Sequence, residues 1–112
     1  MNHLDPEIFA ELEEIMEGDF SVLLETYLSD SKSKLDSLDE AFQQEDVKKV
    51  RDIAHGFKGS SLNIGAHLLA QLCEEVESFA RDEKLGEASQ VSPKIMSEFQ
   101  EVKGFIEQKL GR

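Results

Sequence analysis

Residues 47–65 read VKKVRDIAHGFKGSSLNIG. Val47, Val50, Ile53, Ala54, Phe57, Ser61 and Ile64 recur at three- and four-residue intervals, the spacing of one helical face. At about 100° per residue, Val47, Val50, Ala54, Phe57, Ser61 and Ile64 fall within roughly 120° of arc. Gly65 breaks the run. The stretch is a helix with one buried stripe, and the same rule extends in both directions.

Toward the N-terminus, a long helix carries Phe20, Leu23, Leu24, Tyr27, Leu28, Leu35, Leu38 and Phe42, with Ser31 filling a gap. Gln43-Gln44-Glu45-Asp46 makes the turn after it. Ahead of it, Asp5 as N-cap and Pro6 at the first position open a short helix bearing Ile8, Phe9, Leu12, Ile15 and Met16 on one stripe. Gly18 is expected to end that helix and Asp19 to cap the next.

Toward the C-terminus, a helix beginning near Ala66 buries Leu69, Leu72, Cys73, Val76 and Phe79. The last carries Leu85, Ala88, Val91, Ile95, Phe99, Val102, Ile106 and Leu110. Pro93 falls inside this pattern; the stripe keeps its phase across it, so one kinked helix is expected rather than a fresh start at Ser92-Pro93. There is no strand-like alternation and no internal repeat. Short connections make neighbouring helices antiparallel. The expected fold is all-α: an antiparallel four-helix bundle with the short first helix packed over one end, in a single domain spanning 1–112.

The whole-chain properties agree. Hydrophobic residues are 39% and charged residues 32% of 112, with two prolines, a globular rather than a disordered mix. No run approaches the ~18 apolar residues of a membrane span, and MNHLDPEIF lacks the regions of a signal peptide. The single cysteine, Cys73, has no internal disulfide partner and falls on an apolar stripe, so it is read as core in a reducing compartment. A cytoplasmic, monomeric protein is expected. Beginning at Met1, the chain reads as freestanding rather than excised from a larger one.

Twelve cations against 24 carboxylates give a net charge of −12, which repels nucleic acid and anionic lipid and excludes both as partners. Four of the twelve cations, Lys48, Lys49, Arg51 and Lys58, nevertheless lie between positions 48 and 58. A solvated helix face with i,i+4 pairing accounts for such a patch on its own. A second account begins with His55, which lies about 140° from the centre of the apolar stripe and therefore faces solvent.

Lys58 and Gly59 share the face of His55 on one side, Asp52 and Arg51 on the other, with Lys48 and Leu62 two turns out. Gly56 and Gly59 each cost about 0.8–1.0 kcal/mol relative to alanine in mid-helix. Both lie outward, where helix–helix close packing does not explain them. They fit a surface that another macromolecule approaches closely. Lys58 and Arg51 disfavour the imidazolium and favour the nucleophilic neutral ring; once the ring is phosphorylated, the same cations stabilise the added charge.

The run Ala54-His55-Gly56-Phe57-Lys58-Gly59-Ser60-Ser61, then Gly65-Ala66, Leu69, Leu72-Cys73 and Val76-Glu77, resembles the histidine-containing phosphotransfer family and its H-x-[hydrophobic]-K-G-S-S…G-A…L…C…[hydrophobic]-E pattern. Phe57 stands where leucine is commoner, on the buried side. The resemblance implies a phosphorelay intermediate. His55 would accept a phosphoryl group, on Nε2, from the aspartyl phosphate of a receiver domain of a hybrid sensor kinase and pass it to a response-regulator aspartate. It implies that Lys58 supports the phosphate and Gly59 gives clearance. It also implies that the acidic pocket and Mg²⁺ belong to the receiver, so that the chain is a phosphocarrier rather than an enzyme and needs no cofactor. Lys48, Arg51, Gly56 and Leu62 are assigned with Gly59 to partner docking, although Leu62 reads equally as an incidental surface leucine.

Other readings are weaker. Gly56-Phe57-Lys58-Gly59-Ser60 has the wrong order and context for a phosphate-binding loop. A single outward Asp52-x-x-His55 is not the inward Glu-x-x-His pair of a di-iron bundle, so no metal site is expected. His67 is read as a surface or capping residue and His3 as uninformative. A non-phosphorylated adaptor that keeps this fold for binding receiver domains is the alternative function, disfavoured by the joint presence of His55, Lys58 and Gly59.

Overall fold

The computed structural model describes residues 3–112. Five helices account for most of them: α1 (Pro6–Met16), α2 (Phe20–Gln43), α3 (Val47–Asn63), α4 (His67–Arg81) and α5 (Leu85–Lys109), with a 3₁₀ turn at Glu17–Asp19 between the first two. The start of α1 follows its sequence: Pro6 sits in the first turn and the Asp5 carboxylate accepts from the Glu7 and Ile8 amides. Asp46 caps α3 through the Lys49 amide. Pro93 lies within α5, which runs unbroken past it.

Helices α2 to α5 form the bundle, α4 packing on α3 on one side and on α5 on the other. The core holds Leu24, Leu38, Val50, Phe57, Ile64, Leu69, Val76, Ile95, Val102 and Ile106, all but withdrawn from solvent. Phe99 reaches both Tyr27 and Phe57 through tilted and edge-on ring contacts. At one end, α1 closes the bundle. Its Asp5 amide donates to the Gly65 carbonyl at 2.8 Å, Phe9 meets Phe20 edge-on, and Glu13 pairs with Lys109 at 2.8 Å. Gly65 is required there: its φ is +84°, and a Cβ would stand 3.2 Å from Asp5 and Ile8.

Three expectations at this end are corrected. Ile15 does not join the stripe by which α1 packs; it is 76% exposed, while Phe9, Leu12 and Met16, at three- and four-residue spacing, lie against the core. Asp19 makes no side-chain cap to α2, since the chain enters that helix directly from the 3₁₀ turn with helical backbone angles. The reversal falls on Glu17, at φ 48°, rather than on Gly18.

Candidate functional site

Midway along α3, that helix and α4 run side by side, and three of their side chains converge on Glu77. The stripe of α4 explains why a carboxylate lies there: Leu69, Cys73, Val76 and Ala80 are buried, and Glu77, one turn beyond Cys73, shares their face. Its side chain is only 8% exposed. A carboxylate so placed needs a cation and hydrogen-bond donors, and α3 supplies both. Lys58 Nζ lies 2.8 Å from Oε1, and His55 Nδ1 lies 2.8 Å from Oε2. Arg81, a turn further along α4, adds an Nη2 contact to Oε2 at 3.4 Å. Lys58 also donates to Glu74 at 2.6 Å, pinning α3 to α4.

The electrostatics follow from these contacts. Burial pushes the Glu77 carboxyl up, but the bonds from Lys58 and His55 outweigh it and hold its pKa below the ordinary range. Glu74, and after it Glu77, hold the Lys58 ammonium above its usual value. An ionised carboxylate only accepts hydrogen bonds, so the His55 nitrogen facing Glu77 is the protonated one. The lone pair is thereby assigned to Nε2, at the other side of a ring whose side chain is 68% exposed.

The clearance around the ring is real at both glycines. A Cβ on Gly59 would meet nothing within 4 Å; one on Gly56 would touch only the Lys34 side chain, at 3.6 Å. Leu62 is 44% exposed. It lines a shallow groove with Lys58, His67, Ala70, Gln71 and Glu74. Lys48 and Arg51 share the same face of α3 but both lean on Asp52, at 3.3 and 3.9 Å.

The sequence-based expectation of a cationic setting for His55 is therefore corrected. Its charged neighbour is a carboxylate, and Lys58 is neutralised by two of them. The hydrogen bond at Nδ1 orients the ring and directs its lone-pair nitrogen outward, a part that nearby positive charge does not play. Glu77 was visible in sequence only as a glutamate in the family pattern. The signal that it lines the site is its position on the apolar stripe of α4. His67 reaches Asp5 at 3.4 Å, a surface contact, and His3 binds Glu98 at 2.7 Å, far from this site. Cys73 lies buried, and burial together with the Glu77 charge pushes its thiol up to about 12. Among the described residues no cluster suited to a metal ion occurs, and no helix is long and apolar enough to cross a membrane.

Residues 22–108 match the family model of the Hpt domain. The crystal structure of histidine-containing phosphotransfer protein B (HptB) from Pseudomonas aeruginosa superimposes with a TM-score of 0.94 and 41% identity, over 96% of this chain and 93% of that one. The maize histidine-containing phosphotransfer protein ZmHP2, at 20% identity, shares the fold, with a TM-score of 0.83 over 96% of this chain and 87% of that one. The phosphorelay protein LuxU of Vibrio vulnificus is 33% identical over 70 residues, and the phosphorelay intermediate protein rdeA of Dictyostelium discoideum 29% over 80. These stretches are 62% and 71% of this chain, which spans 61% of LuxU and 32% of rdeA.

Proposed function

Since the chain belongs to the Hpt domain family, we propose that it is the histidine phosphocarrier of a multistep phosphorelay and that His55 is the residue phosphorylated. The observation that carries this reading is the ring itself: held at Nδ1 by a buried carboxylate and open to solvent at Nε2.

In the step proposed, the Nε2 lone pair attacks the phosphorus of an aspartyl phosphate on a receiver domain. The N–P bond forms as the P–O bond to the aspartate breaks, and the aspartate leaves as a carboxylate. The ring keeps its Nδ1 proton and becomes cationic, and Glu77, 2.8 Å away, balances that charge. Running the step backwards on a second receiver passes the group on. Lys58, which holds two carboxylates at rest, is the cation that turns to a phosphoryl oxygen.

Positioning and charge stabilisation do most of the work in phosphoryl transfer. The acidic pocket and Mg²⁺ are assigned to the partner, so this chain carries phosphate without catalysing its transfer alone. The docking face comprises Gly56, Gly59 and Leu62 around the ring, with Lys48 and Arg51 a turn or two away. The donor is a receiver of a hybrid sensor kinase and the recipient a response regulator, met in the cytoplasm by a monomer.

The test is incubation with a ³²P-labelled phosphorylated receiver domain and Mg²⁺. The label should appear on this chain, acid-labile and alkali-stable. His55→Gln should abolish it, and Lys58→Ala should slow it while the fold persists. Normal labelling of His55→Gln would overturn the assignment.

A further inference from the structure

Glu77 has two cations, one on each oxygen and from different helices: Lys58 of α3 on Oε1 and Arg81 of α4 on Oε2. For a carboxylate that makes one hydrogen bond to the reacting ring, the second cation is surplus to the resting state. Arg81 is half exposed and, among the described residues, has no other carboxylate within ion-pair distance. Lys58 is already divided between Glu74 and Glu77.

The arrangement changes once His55 carries phosphate. A phosphoryl group brings about −1.5 to −2 charges to the ring, and Lys58, one turn along the same helix face, is the cation drawn to it. Glu77 then loses the partner on Oε1. That leaves the ring as the sole partner from α3; a buried carboxylate short of compensating charge takes up a proton, and the nearest proton is the one on His55 Nδ1. Loss of that proton would turn a cationic phosphoimidazole, a good leaving group, into a neutral one, a poor leaving group. Arg81 stands on Oε2, the oxygen that His55 uses, and does not depend on Lys58.

We infer that Arg81 is a positioning residue for the phosphorylated state, a reserve counter-ion that keeps Glu77 ionised, and so the Nδ1 proton on His55, while Lys58 is engaged with the phosphoryl group. The inference rests on the phosphocarrier reading for its second state, but its resting-state half stands without it.

The experiment is ¹⁵N–¹H NMR of the His55 ring in the intact protein, before and after treatment with potassium phosphoramidate, a small phosphodonor that needs no receiver. In the untreated protein, Lys58→Ala and Arg81→Ala should each keep the protected Nδ1–H signal, and the double variant should lose it. In the treated protein, Arg81→Ala alone should lose the signal and Arg81→Lys should restore it, a rescue that a packing role would not give. Retention of the signal in both the double variant and treated Arg81→Ala would overturn the inference. Failure of phosphoramidate to label wild-type His55 would instead strike the phosphocarrier reading, and the untreated arms would still decide the role of Arg81. If the double variant fails to give folded amide dispersion, treated Arg81→Ala decides by itself.

Discussion

Single side chains divide into those whose surroundings follow from helical periodicity and those whose surroundings do not. His55 belongs to the first group: its angle on the wheel of α3 puts it in solvent, and it is there. Ser61 is subtler. The sequence places it on the buried stripe, and it lies fully buried, its hydroxyl 2.9 Å from the Tyr27 phenol. Tyr27 is correspondingly shifted up to about 12, chiefly by burial. Tyr27→Phe strands the Ser61 hydroxyl in the core and should cost about 0.5–1.5 kcal/mol, read from urea unfolding, with no effect on label acceptance by His55. Glu77 belongs to the second group. It is 22 residues from His55 in the chain, and no local rule connects them. Only the pairing of α3 with α4 does, and with it the partition of Lys58 between two carboxylates.

Helices were legible because their apolar spacing is long and regular, and some ends were legible too, at Asp5-Pro6, in the turn at 43–46 and at Gly65; the residues that take up the left-handed turns were not. Three turns reverse on glutamates, Glu17, Glu45 and Glu83, with φ of 48°, 55° and 60°, where glycine would be the default. Neither spacing nor composition marks those positions. Pro93, by contrast, was readable as internal to α5 because the stripe continues in phase on both sides. The two classes of glycine in the site region separate cleanly by substitution. Gly59→Ala adds a methyl that meets nothing, so it should stabilise the folded protein by about 0.8–1.0 kcal/mol. The same methyl faces an incoming partner, so label uptake from a phosphorylated receiver should slow. Gly65→Ala forces a side chain into the left-handed region against Asp5 and Ile8, and should cost at least about 1–2 kcal/mol. Thermal melts of both variants, beside transfer rates for the first, check the pair. A Gly59→Ala protein that gains stability and transfers at the normal rate would remove that glycine from the docking face.

At the scale of the molecule, the network around Glu77 ties α3 to α4 and makes part of the stability depend on acid. The carboxyl titrates below its ordinary 4.5 in the folded protein, so the unfolded chain binds more protons there as the pH falls. Its contribution is complete above that ordinary value and is lost as the pH drops through the lower, folded one. Urea midpoints measured downward from pH 5 should therefore fall more steeply for the wild type than for Glu77→Gln, with the two curves parallel at neutral pH. Equal slopes throughout would show that the carboxylate is not held by its partners.

The bundle is an elongated rod of 42 × 24 × 20 Å, with its proposed acceptor ring at the midpoint of α3. A receiver large enough to enclose that ring covers the same patch that any second receiver must use. Donor and recipient thus compete for one berth, and a loaded carrier has to let the first go before it can discharge to the next. Such an exchange obeys ping-pong kinetics: an excess of either partner chokes the traffic, and the relay runs fastest when both bind weakly and leave quickly.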